Sequence, residues 1–109
     1  MYYYDLKNMP NLVTKQDIQI KEVNLENVMM TFMEFEPYTE IESHKHQNEQ
    51  ITIVIKGKAE FIVNGEEKIL SEGEICVLPS NVEHSVKILD EDTILYDCWS
   101  PIREDYIVR

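Results

Sequence analysis

Apolar and polar residues alternate at a period of two along most of this chain, which is the spacing of half-buried strands rather than helices. Residues 18–23 read as a short strand, with Ile18, Ile20 and Val23 apolar. In residues 28–35, Met29, Thr31, Met33 and Phe35 alternate with Met30, Phe32 and Glu34. Residues 49–55 and 58–63 form two further runs divided by Lys56-Gly57, which signals a hairpin. Asn64-Gly65 signals another, since this pair suits a type I′ turn best. Residues 68–70, 75–78, 84–89 and 93–99 supply the remaining strands, with turn residues Ser71-Glu72-Gly73, Pro79-Ser80-Asn81 and Asp90-Glu91-Asp92 between them. Helical spacing is weak beyond the first dozen residues. Short strands at near-regular intervals predict an all-β sandwich or barrel. Met29, Met30 and Met33 read as core filling, because methionine fits irregular gaps and soft sulfur would not match the other candidate ligands.

Composition narrows this picture. A chain of 109 residues with only three glycines and four prolines leaves little room for linkers, and residues 1–109 read as one domain. The formal net charge of −11 argues against nucleic acid and anionic membrane surfaces as partners. An anionic substrate would need locally concentrated positive charge to overcome that field. Cys76 and Cys98 lie in apolar runs without CxxC spacing, which favours two buried free thiols in a reducing compartment over a disulfide. No segment reaches the ~18 apolar residues needed to cross a bilayer, and residues 1–11 lack the basic start and apolar core of a leader. The expected location is the cytoplasm.

The candidate chemistry lies in the histidines. The chain has only three, His44, His46 and His84, each close to turn residues. On a strand, His44 and His46 would project from one face, and Gln50 keeps that parity. His84 follows the Pro79/Asn81 turn and could return to the same point from another strand. Three imidazoles and one amide oxygen make a site for a divalent transition metal such as Ni, Zn, Mn or Fe. The bland alternative is scattered surface histidines; gathering every histidine at matched offsets beside turns argues against it. Glutamine rather than a carboxylate as fourth ligand leaves a dication site at about +2 instead of about +1, which favours Lewis-acid work on a carbonyl or hydroxyl. Glu49 has the opposite parity and is assigned no role.

With these spacings in place, the chain resembles the small single-domain cupins, which fold as a jelly-roll β-barrel. Their two sequence boxes fall at residues 37–57 and 73–88. The run from His44 to Ile51 and the run from Tyr96 to Tyr106 are similar to the pectin-degradation cupins that act on unsaturated uronates. Four positions depart from the family pattern. Tyr38 stands where a glycine often opens the first box, so a different backbone path is expected there, since tyrosine rarely adopts φ > 0. Asn81 replaces a glycine, a mild change for a residue that visits the left-handed region readily. Ile88 replaces a terminal asparagine, and Gln50 stands where many cupins carry glutamate, although uronate-active members commonly use glutamine.

The resemblance implies roles near the C-terminus. Asp97 would transfer protons, Arg103 would grip a substrate carboxylate, and Trp99 would supply an aromatic wall. Asp97 and Trp99 share a strand face, Pro101 ends that strand, and Arg103 can fold back toward the barrel mouth. From spacing alone, an Asp97–Arg103 ion pair beside a core tryptophan is the simpler reading. Tyr96 reads as packing, and Glu104-Asp105 as a solvated segment. The implied activity is metal-dependent, non-redox conversion of a 4,5-unsaturated uronate monosaccharide, a small anionic sugar, to its linear keto form. The rivals are an Fe(II)-dependent cupin dioxygenase and a non-catalytic sugar- or metabolite-binding cupin. The family also implies a homodimer, in which Tyr2, Tyr3 and Tyr4 could cover a barrel edge or the partner subunit.

Overall fold

The computed structural model describes residues 2–108. Their strands are β1 (Leu12–Val13), β2 (Gln19–Asn24), β3 (Met29–Phe35), β4 (Glu40–His44), β5 (Glu49–Lys56), β6 (Lys58–Val63), β7 (Glu66–Ser71), β8 (Ile75–Leu78), β9 (His84–Ile88) and β10 (Thr93–Ser100). Two single-turn 3₁₀ segments, Leu6–Asn8 and Glu104–Tyr106, flank the strands. A six-stranded sheet in the order β1-β2-β3-β10-β5-β8 faces a four-stranded sheet in the order β4-β9-β6-β7. All described pairings are antiparallel. This is the all-β arrangement that the period-two pattern predicts, in the jelly-roll form that the cupin resemblance implies.

Side-chain alternation decides what each sheet buries. In β3, Met29, Thr31, Met33 and Phe35 point inward and are all 5% exposed or less, whereas Met30 lies on the outer face. The methionine run therefore supplies two core residues rather than three. Phe61, Val86, Ile88 and Ala59 from the four-stranded sheet meet Ile20, Met33, Val54, Leu95 and Trp99 from the six-stranded one. Cys98 and Cys76 pair with Ile51 and Thr52, neighbours on β5 that face opposite ways, so the two thiols lie on opposite faces of one sheet. Both are half-buried and free.

The turns divide into one confirmed hairpin and one corner. Val63 pairs with Glu66 across Asn64 (φ 49°) and Gly65 (φ 82°), the type I′ hairpin expected. Lys56-Gly57 is not a hairpin. It carries the chain from β5 in one sheet to β6 in the other. Gly57 is required there twice over: its φ is +87°, and a Cβ would strike Thr93 Oγ1 and come within 2.7 Å of the Asp92 carbonyl. Tyr38 also differs from expectation. It adopts φ 63° itself and donates its N–H to the Leu89 carbonyl at 2.9 Å, so the backbone keeps the glycine-like path. Its ring is exposed, and the left-handed backbone costs roughly 1–2 kcal/mol. Asn81 takes φ 62° as its residue type allows.

Candidate metal centre

The three histidines converge from three different places. His44 ends β4, His46 lies in the connection to β5, and His84 opens β9. His44 sits opposite His84 after a bulge in the β4–β9 pairing, and the bulge sets its aim. Strand parity is thus not what brings His44, His46 and Gln50 together, since β4 and β5 belong to different sheets. A turn does part of the work instead: Asn81 donates its N–H to the His46 carbonyl at 2.8 Å, and Ser80 Oγ donates to the Gln47 carbonyl at 2.7 Å.

Ring centroids lie 4.4 Å (His44–His84), 4.9 Å (His46–His84) and 5.5 Å (His44–His46) apart. Their ligand atoms all fall within 4.8 Å of one another, so the three can hold a metal ion. The tautomers agree with that use. His44 Nδ1 meets the Glu42 carbonyl at 2.9 Å, His46 Nδ1 the Asn48 carbonyl at 3.0 Å, and His84 Nδ1 the Val82 carbonyl at 3.0 Å. A carbonyl only accepts, so each Nδ1 carries the proton and each Nε2 presents a lone pair. His46 Nε2 is enclosed with no partner among the described residues. Burial lowers the pKa of both His46 and His84, which keeps them neutral and ready to ligate.

Gln50 faces the same point. Its Nε2 donates to Thr52 Oγ1 at 2.8 Å and to Asp97 Oδ1 at 3.2 Å, which fixes the amide orientation. The amide oxygen is left buried and unpartnered among the described residues. An acceptor in that state, beside a neutral imidazole nitrogen in the same state, is what a divalent cation would satisfy.

Beneath the ligands lies a closed polar network. Asp97 accepts from Gln50, from Thr52 Oγ1, and through Oδ2 from Thr31 Oγ1 at 3.0 Å. Trp99 Nε1 donates to Thr31 Oγ1 at 2.9 Å. Burial pushes the Asp97 carboxyl up to about 6, while the Thr52, Thr31 and Gln50 donors hold it from rising further. Burial also raises the Cys76 thiol to about 11, reinforced by Asp97, so this cysteine is inert.

Arg103 does not pair with Asp97, which overturns the simpler ion-pair reading. Its bidentate partner is Asp105, with Nε donating at 3.1 Å and Nη2 at 2.9 Å. Asp105 is therefore held to Arg103 rather than left as a purely solvated group, and its carboxyl is held below the usual range by those hydrogen bonds. The guanidinium stands 5.1 Å from the Trp99 ring centre and 4.5 Å from that of Tyr106. Tyr96 lies on the other face, in an edge contact with Phe32. A cavity of about 40 Å³ is lined by His44, His84, Gln50, Asp97, Trp99 and Tyr106. It has room for water but not for a sugar ring, so a substrate must engage from the mouth.

Thr31, Thr52, Asn48, Asp105 and Tyr106 are site residues that the sequence reading does not assign. The two threonines carried a usable signal, because both are polar at inward parity within otherwise apolar strands. Asn48 carried none.

A jelly roll with histidines gathered at one end of its barrel is the architecture of a cupin. Residues 31–97 match the family described as Cupin domain, and the chain belongs to that family. It is a small cupin resembling the KdgF proteins. It is 37% identical over 65 residues to the pectin degradation protein KdgF of Dickeya dadantii (strain 3937), a match that spans 59% of this chain and 59% of that one. An uncharacterized protein of Aquifex aeolicus (strain VF5) is 27% identical over 103 residues, covering 89% of this chain and 84% of its own. Among solved structures, KdgF from Halomonas sp. superposes with a TM-score of 0.91 at 26% identity, covering 98% of this chain and 99% of that one. An RmlC-like cupin from Shewanella frigidimarina NCIMB 400 superposes at 0.92 with 22% identity, covering 98% and 96%, which shows the shared fold. Among the described residues, no helix is long and apolar enough to cross a membrane.

Proposed function

We propose that this cupin converts a 4,5-unsaturated uronate monosaccharide to its linear keto form, with one divalent metal held by His44, His46, His84 and Gln50. The observation that carries the metal assignment is the enclosed, unpartnered Gln50 oxygen beside the His46 Nε2 lone pair. The substrate class rests on similarity to KdgF from Dickeya dadantii and Halomonas sp.. When bound, the metal supplies Lewis acidity toward the sugar's hydroxyl and carbonyl oxygens.

The reaction is a net isomerisation. The hemiacetal bond to the ring oxygen breaks, giving an aldehyde and an enol; the enol then loses its O–H proton and gains one on the neighbouring carbon. No oxidant or water is consumed. Asp97 is the proton carrier, because its carboxyl lies near neutrality, at about 6, where a group both accepts and donates readily. Thr31, Thr52 and Gln50 hold it in place as it changes charge. Arg103 takes the substrate carboxylate by hydrogen bonding, and a divalent metal beside it would supply the local positive charge that a chain of net charge −11 otherwise lacks. Trp99 keeps water from the reacting carbons.

A homodimer fits the outer face of the six-stranded sheet, where Ile51, Ile75 and Val77 are each more than half exposed. The test of activity is the decay of the conjugated ultraviolet absorbance of freshly generated unsaturated galacturonate. Acceleration that a chelator abolishes and a divalent metal restores is expected. No acceleration over buffer with any common divalent metal rejects the proposal, and oxygen uptake with Fe(II) would replace it by the dioxygenase reading.

A further inference from the structure

The Arg103 guanidinium is committed on one edge and free at one nitrogen. Asp105 takes the Nε and Nη2 donors at 3.1 and 2.9 Å. The Trp99 and Tyr106 ring centres lie 5.1 and 4.5 Å from its Cζ. The backbone just before it is also tied down: Asn48 Nδ2 donates to the Pro101 carbonyl at 2.7 Å and the Ile102 carbonyl at 3.3 Å. Asn48 belongs to the metal centre as well, because its own carbonyl orients the His46 ring. One donor remains. Arg103 Nη1 is enclosed and makes no well-formed hydrogen bond among the described residues, although the Tyr106 side chain lies against the guanidinium, whereas the Asp105 side chain is 60% exposed.

We propose that Asp105 is a positioning residue for substrate recognition. By occupying the Nε–Nη2 edge on the solvent side, it turns Nη1 inward, and Arg103 grips the substrate carboxylate through Nη1. This deepens the uronate reading and rests on it, and it alters the grip: the side-on, two-nitrogen pairing usual for arginine and carboxylate is already taken. Asp105 never touches the substrate. Two carboxylates share one guanidinium, one outside and one inside. Recognition is then directional, since only a carboxylate reaching the inner nitrogen is held. Asn48 anchors the segment that carries Arg103, which ties the clamp to the same residue that sets His46.

The test uses the metal-loaded full chain and unsaturated galacturonate. Asp105→Asn should raise KM about tenfold and leave kcat within about twofold, the mark of lost binding common to ground and transition states. Asp105→Glu should recover part of the loss. In an Arg103→Ala background, Asp105→Asn should add nothing, because its effect runs through the guanidinium. Metal content by elemental analysis should match wild type in Asp105→Asn. An unchanged KM overturns the positioning role while leaving the uronate reading intact. A lower KM also overturns it, since Asp105 would then be occupying the substrate's place, and so does a loss of metal or an additive double variant. Absence of turnover in the wild-type protein removes the uronate reading and this inference with it.

Discussion

Two adjacent rows on the inner face of the six-stranded sheet are chemically opposite, although their central members are equally buried. In one, Ile20, Met33, Leu95 and Val54 lie side by side in register across β2, β3, β10 and β5. In the next, Glu22, Thr31, Asp97, Thr52 and Cys76 occupy the same strands and β8. Leu95 and Asp97 are neighbours of equal parity on β10 and are both 3% exposed. The first row is stable because apolar surface leaves water, at about 25 cal/mol per Å². The second persists because its central members bond one another: Thr31 and Thr52 each donate to Asp97, and Gln50 closes the set from the row above. Burial alone therefore does not distinguish core from site. Hydrogen-bond closure does.

The largest expected effect comes from carrying one row's chemistry into the other. Leu95→Asp places a carboxylate where no donors wait, so it should destabilise by about 4 kcal/mol or more and leave the chain unfolded by circular dichroism. The conservative change one step along the strand should behave oppositely. Asp97→Asn keeps the shape and one acceptor oxygen, and we expect a folded, metal-binding protein whose turnover of unsaturated galacturonate falls by about 10²–10⁴. Full activity in that variant would remove the proton-transfer role.

A smaller effect concerns pH. The folded Asp97 carboxyl lies at about 6 against an ordinary 3.8, so between those values the folded chain binds more protons than the unfolded one. Its contribution is fully favourable below pH 3.8, declines as pH rises, and levels off above about 6, a total of roughly 2–3 kcal/mol. His46 and His84, both lowered from 6.5 chiefly by burial, act the other way: their contribution is present above the ordinary value and is lost as pH falls. Chemical denaturation of metal-free wild type and Asp97→Asn across this range separates the two. Wild type should gain stability relative to Asp97→Asn toward the acid side, and a flat difference would contradict the assignment.

Much of this architecture was legible in the sequence, because alternation reports which residues of a strand face inward. Most strand positions, the Asn64-Gly65 hairpin and the shared face of Asp97 and Trp99 follow from it. Alternation does not report which sheet a strand joins, so Lys56-Gly57 read as a hairpin although it turns a corner between sheets. The same limit affected the histidines. Their convergence was legible from type and spacing, but its cause lies in a bulge and in the hold of Asn81 on His46 rather than in strand parity. Asn48 and Asp105 act through long-range or loop geometry that no periodicity encodes. Thr31 and Thr52 were visible as polar residues at inward positions, yet only the packed strands show that they meet at Asp97.

The most direct test of the metal centre is its stoichiometry. Elemental analysis of the full chain, purified after exposure to divalent transition metals and dialysed, should find about one metal ion per chain, and His84→Ala should carry almost none. Equal trace metal in the two proteins would contradict the account.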